Sequence, residues 1–319
     1  MTTDTSVIIR VGDAGVERQW RQHAEAAGFD LHVSRYAAYD DGGPDPDAPP
    51  PHYFKGGKWS GLFDYFRTRP ELLERSRYFW FPDDDIETSG DTIRRFLAVV
   101  REKDLKLAQP ALTPDSYYAH RITLHNPNFT IRRTNFVELM MPIMHRDVLV
   151  QVLPIFEGRH AALGLDLFWH QLTPDPQRNV AIIDATPMRH ARPRRKHLNG
   201  NLSSMAIDML QERQRTMEEL SIRASTPGVH SAETVGGATL NKGPLLTLAL
   251  VHGLLCAARR MTRQPLGLSG CYKYLKDQLK AGQPPIAFDS TALQAIQRRS
   301  ALSARSEMHP IPEPDMRSA

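Results

Sequence analysis

Cysteine is nearly absent from this chain. Two residues, Cys256 and Cys271, in 319 exclude a disulfide framework and a structural zinc site, and they point to the reducing cytoplasm. Long apolar runs are lacking too. The longest, residues 244–258, is interrupted by Thr247, His252 and Gly253 and falls short of the roughly 20 residues that a membrane span requires. The first six residues have neither the basic nor the apolar part of a secretory leader. There is little net charge: 40 Lys and Arg stand against 36 Asp and Glu, for +4. With 41% hydrophobic and 24% charged residues, the composition is that of a globular chain and excludes collagen, coiled coil and wholesale disorder. The charge is unevenly divided. Residues 1–188 hold 21 basic and 26 acidic side chains, residues 189–200 hold five basic and none acidic, and residues 201–319 hold 14 and 10. The basic strip lacks interleaved aromatics, which argues against nucleic acid as a partner. Arg259, Arg260 and Arg263 follow the 244–258 run. That order suits a buried helix with a cationic last turn, and it leaves open a helix lying on a membrane surface.

Val7-Ile8-Ile9-Arg10-Val11 reads as a buried strand closed by Gly12-Asp13, and residues 16–27 carry helical spacing up to Gly28. A second strand follows at 31–34. Residues 40–51 are rich in Asp, Gly and Pro and read as a loop. Helical segments are expected at 58–66 and up to about 75. Tyr78-Phe79-Trp80-Phe81 is an all-apolar strand stopped by Pro82. Further on, the pattern predicts a helix at 91–103 capped by Asp91, strands at 105–109, 128–132, 137–141 and 180–183, and helices at 146–156 and 163–172. Buried strands alternating with helices indicate an α/β/α sandwich with a mainly parallel sheet. Helices are expected at 201–224 and 244–262, separated by a Gly-, Ser- and Thr-rich linker. The organisation expected is a catalytic domain over 1–197, a helical extension over 198–302 and a disordered tail over 303–319.

Asp83-Asp84-Asp85 follows the apolar strand directly. Three adjacent carboxylates repel one another unless water or a cation screens them. Alternate members can offer oxygens to one hard divalent ion, which in turn bridges to phosphate. In open α/β sheets ligands bind beyond the carboxyl ends of the strands, where these residues fall. A solvated acidic turn is the plainer alternative. Lys55-Gly56-Gly57-Lys58, at a loop-to-helix junction, could meet a diphosphate with backbone N–H groups and a lysine, or could simply be a turn. Asp166, in Gly164-Leu165-Asp166, is a candidate general base if burial tunes it, or a helix cap. His190 ends the last core strand and could complete a metal shell. Arg192, Arg194, Arg195 and Lys196 then supply charge for a departing diphosphate.

These residues resemble the GT-A class of nucleotide-sugar glycosyltransferases. More closely, the chain resembles a plant and bacterial family, some of whose plant members are labelled lysine-ketoglutarate reductase trans-splicing related. The matching segments are 55–62, 78–86, Leu107-Ala108-Gln109-Pro110-Ala111-Leu112, His120-Arg121-Ile122-Thr123, 136–147, Gly164-Leu165-Asp166 and 180–190, within about residues 6–195. The resemblance implies a GT-A-like fold and a metal-dependent transfer of sugar from a nucleoside diphosphate donor to a hydroxyl acceptor, glycan or lipid-linked. It implies Mn²⁺ or Mg²⁺ on Asp83, Asp85 and His190. Donor contacts would come from Asp40, Gly57, Lys58, Asp83, Asp84 and Arg121, with Asp166 as catalytic base. Leu165-Asp166 stands where the commoner pair is Glu-Asp. A metal-dependent phosphohydrolase would also carry Asp-any-Asp after a strand, but that motif needs Thr or Val where Glu87 stands. A non-catalytic nucleotide-sugar- or protein-binding module is the other alternative. The expected location is cytoplasmic, with peripheral membrane contact left open.

Overall fold

The computed structural model describes residues 4–37, 52–193 and 208–306. Its N-terminal half is built from β1 (Thr5–Val11), α1 (Ala14–Ala27), β2 (Asp30–Arg35), β3 (His52–Tyr53), α2 (Lys58–Thr68), α3 (Leu72–Arg75), β4 (Tyr78–Trp80), β5 (Ile86–Glu87), α4 (Gly90–Glu102) and β6 (Leu107–Leu112). It continues through β7 (Phe129–Thr134), β8 (Ile143–His145), α5 (Arg146–Val152) and β9 (Val180–His190). The remainder holds α6 (Met209–Glu219), β10 (Val229–Thr234), β11 (Thr239–Asn241), α7 (Pro244–Ala258), α8 (Leu268–Leu279) and α9 (Ser290–Ser306). One sheet runs β11-β10-β7-β9-β6-β8-β4-β1-β2-β3, with β5 paired to the far end of β9. β3, β2, β1 and β4 are mutually parallel, as are β6 and β9, whereas β7, β8 and β11 run against their neighbours.

This is the expected α/β/α sandwich, and alternation along the strands explains it. Val7, Ile9, Val11 and Trp80 bury into one core with Trp20 of α1 and Phe96 of α4. Ile8, Phe79 and Phe81 bury into the other with Trp59, Leu62 and Phe66 of α2 and Trp169. Strands covered on both faces read as continuous apolar runs because neither set of side chains meets water.

Five local expectations are corrected. Residues 137–141 form no strand, because the carbonyls of Leu139 and Met140 turn to Lys58 and that of Met140 also accepts the Asp83 amide. Residues 163–172 are two short 3₁₀ turns, Leu165–Leu167 and Trp169–Leu172, entered through Gly164 at φ 104°. Ser89, not Asp91, caps α4, its hydroxyl accepting from the Thr92 amide. The linker expected between helices contains the β10–β11 hairpin, and β10 pairs antiparallel with β7 and so prolongs the central sheet. The last helix continues to Ser306, past the expected start of the tail.

Candidate active site

The carboxyl ends of β4 and β9 build the site. After Trp80 the chain stays beside residues 140–142, with Phe81 N–H donating to Pro142 O and Asp83 N–H to Met140 O, each at 3.0 Å. It then turns into β5, which places Ile86 opposite His190 and Glu87 opposite Arg189. This short antiparallel pairing carries the triplet across the sheet edge to the histidine. One ligand atom each from Asp83, Asp85 and His190 lie within 4.8 Å of one another.

Each carboxylate has its own cation. Lys58 Nζ donates to Asp83 Oδ1 at 2.7 Å, Leu139 O at 2.9 Å and Met140 O at 2.8 Å. All three ammonium hydrogens are thereby matched, so Lys58 holds Asp83 and its loop in place. Burial pushes this ammonium below the usual lysine range, against the pull of Asp83. Asp84 accepts from the Tyr36 hydroxyl at 2.8 Å and from Arg192. Asp85 Oδ2 lies 3.0 Å from His190 Nε2 and 3.2 Å from Arg192 Nε. Burial raises the carboxyls of Asp83 and Asp84, with the Asp85 charge adding to both. Burial would raise Asp85 as well, but the hydrogen bond and charge of His190, with Arg192, hold it below the ordinary range.

His190 is buried at 6% exposure, and its Nδ1 lies 2.7 Å from the Tyr117 carbonyl. A carbonyl only accepts, so Nδ1 carries the hydrogen and Nε2 is turned to Asp85. A metal-binding imidazole is oriented the same way by a backbone acceptor behind it. Burial lowers the imidazole pKa, but the Asp85 hydrogen bond and charge outweigh it and raise the net value. The three carboxyl groups thus face Lys58, Arg192 and His190. Two observations fit a divalent ion. Asp85 Oδ1 is buried with no hydrogen-bond partner, and two carboxylates with an imidazole form a donor set that a divalent ion accepts.

The other predicted residues are spread around this group. Gly57 precedes α2, but its N–H donates to His160 Nδ1 at 3.1 Å. A Cβ there would sit 2.3 Å from the His160 carbonyl oxygen. The glycine thus serves close backbone packing. Asp166 is buried in the first 3₁₀ turn, and burial raises its carboxyl to about 7, only partly offset by the Gly164 and Asp166 backbone amides and by Arg213. Glu212 of α6 secures the approach to that turn by accepting the amides of His160, Ala161 and Ala162 at 2.7, 3.0 and 2.6 Å. Arg121 rests against α8, where a Cβ on Gly270 would lie 3.2 Å from its Nε. Neither Asp166 nor Arg121 bonds directly to the triplet among the described residues. Asp40, Arg194, Arg195 and Lys196 lie outside the described residues. Tyr36 and Tyr117 belong to none of the sequence motifs. Tyr36 follows β2 at the same sheet edge as the triplet, a topological signal; Tyr117 acts through its backbone, which leaves no side-chain signature.

No family model and no curated protein matches the sequence. Among solved structures the chain is similar to Staphylococcus aureus TarS 1–349, at 11% identity over 66% of this chain and 68% of that one, with a TM-score of 0.38. It is similar to A197 from STIV at 8% identity over 76% and 95%, with a TM-score of 0.36. It is also similar to the catalytic domain of Drosophila β1,4-galactosyltransferase 7 in complex with xylobiose, at 13% identity over 60% and 72%, with a TM-score of 0.35. Likenesses of this degree carry no assignment of activity.

Proposed function

We propose that this chain is a cytoplasmic, metal-dependent glycosyltransferase that moves a sugar from a nucleoside diphosphate donor to a hydroxyl acceptor, glycan or lipid-linked. The observation that carries the reading is the convergence of Asp83, Asp85 and His190 at the strand ends, with Asp85 Oδ1 buried and unmatched. The residue pattern that resembles the GT-A class, and more closely the plant and bacterial family, includes these same positions. Asp83, Asp85 and His190 would hold Mn²⁺ or Mg²⁺, which when bound supplies positive charge for the departing diphosphate. Lys58 and the Tyr117 carbonyl orient two of those ligands from behind. Arg192, 39% exposed at the rim, is placed for phosphate oxygens. Asp166, with a carboxyl at about 7, is matched to accepting a hydroxyl proton near neutral pH.

Calorimetry tests the assignment. A nucleoside diphosphate is expected to bind in the presence of Mn²⁺, and Asp83→Asn with Asp85→Asn to abolish that binding while the fold persists. Absence of binding to the wild type, or unchanged binding by the double variant, refutes the site. Turnover separates the alternatives: release of nucleotide from a sugar donor supports the transferase, hydrolysis of a small phosphomonoester the phosphohydrolase, and binding without turnover the recognition module.

A further inference from the structure

The outer face of α7 is unused by the proposed reaction. Leu245, Leu248 and Leu255 are 71%, 67% and 43% exposed. With His252 they recur every three or four residues, which makes one stripe about 15 Å long. The opposite side of the helix, Leu246, Leu250, Leu254 and Ala257, is buried. α8 lies alongside in the opposite direction, since Lys242 at the start of α7 donates to Ala281 O just past the end of α8 at 2.8 Å. It too leaves Leu268, Tyr272 and Leu279 exposed. Residues 239–282 contain seven Lys and Arg and a single acid, Asp277. At the end of the α7 stripe, Arg259 and Arg260 are exposed.

We propose that α7, with α8 beside it, docks on an anionic lipid surface, its leucine stripe entering the acyl boundary and Arg259 and Arg260 meeting the headgroups. Charge selects this occupant. A second copy would set one basic segment against another, since residues 239–282 carry seven Lys and Arg and only Asp277 to relieve the repulsion. The mode is interfacial, since no helix among the described residues is long and apolar enough to cross a membrane. The surface is joined to the candidate site. Arg263, just beyond α7, donates to Ala191 O at 3.1 Å and lies 5.6 Å from the centre of the Tyr117 ring. Ala191 follows His190, and Tyr117 supplies the carbonyl that orients it. Docking would therefore bring the site to the lipid boundary, although the docking itself does not depend on the transfer reading.

The test is sedimentation of the full chain with phosphatidylcholine vesicles, with and without phosphatidylglycerol. Binding is expected only with the anionic lipid and should weaken with added salt. Leu245→Ser, Leu248→Ser and Leu255→Ser together should lower partitioning about tenfold or more. Arg259→Glu with Arg260→Glu should lower it about 25-fold or more, at about fivefold per arginine removed. A Leu248→Trp variant should shift its emission to the blue on adding anionic vesicles, a readout that needs no disruptive change. Equal binding to both vesicle types, or undiminished binding by the triple serine variant, overturns the proposal. So does a dimer in light scattering that the serine variant dissociates, which would make the stripe a self-interface.

Discussion

Replacing Asp166 with asparagine removes an ionisable proton from a position where burial has raised the carboxyl to about 7. In the unfolded chain the same group titrates near 3.9. A folded-state value above the unfolded one means that the native state holds the proton more tightly. The stability this contributes is full below about pH 4, declines as the pH rises, and is gone above about pH 7. At 1.36 kcal/mol per pH unit the whole difference is about 4 kcal/mol. Asparagine has nearly the same shape and stays neutral at every pH. The variant should therefore match the wild type near pH 4 and exceed it by about 2–4 kcal/mol near pH 8, while losing about 100-fold or more in sugar transfer if the carboxylate is the base. Urea unfolding followed by tryptophan fluorescence across this range, beside a pH profile of the wild-type rate with its rising limb near 7, makes the comparison. A stability difference that is the same at pH 4 and pH 8, or a variant weaker than wild type at pH 8, would refute the reasoning. Either result would mean that the carboxylate is held by contacts that favour its charge.

Other perturbations report on how the site is held. Arg132 Nε and Nη2 meet Asp184 at 2.6 and 2.9 Å, the guanidinium also reaches the Ile122 and Leu124 carbonyls, and both side chains are at most 1% exposed. Asp184→Asn should cost about 3–5 kcal/mol in urea unfolding, and Arg132→Met with Asp184→Leu should cost less than that single change. Gly57→Ala forces a methyl against the His160 backbone; the loss should be about 1–3 kcal/mol, read as a lower melting temperature. Glu212→Gln removes the charge that three amides share. It should cost about 2 kcal/mol, speed hydrogen exchange at residues 160–162, and lower kcat through the neighbouring Asp166 turn.

Much of the architecture was legible in the sequence where one physical cause dominates. Val7 to Val11 and Tyr78 to Phe81 reveal their strands because both sheet faces are covered, and a triplet released from such a strand must emerge at its carboxyl edge. The pairing of the triplet with His190, about a hundred residues later, was accessible because both lie just beyond core strands. Where causes compete, the pattern misleads. Residues 137–141 are as apolar as a strand, yet their carbonyls answer to Lys58 and Asp83, which no periodicity records. The β10–β11 hairpin is polar on the side away from the core and pairs with a strand distant in sequence, so it reads as a linker in spite of Gly236-Gly237 at its turn. Lys58 and Gly57 stand out in the sequence as a loop-to-helix junction, but their contacts do not. A lysine with three acceptors and a glycine pressed on a backbone act through packing geometry, which composition alone does not encode.

The union of β7 with β10 has a consequence for synthesis. β7 ends at Thr134 and its partner begins at Val229, so about a hundred residues must leave the ribosome before that flank of the sheet finds its neighbour. At ~5–20 residues per second this leaves an open strand edge for several seconds to tens of seconds. Until β10 arrives, the nascent chain carries an unpaired edge of the kind that recruits other strands. A chain halted near residue 200 would keep that edge permanently, so truncation is expected to favour aggregation over a smaller soluble enzyme.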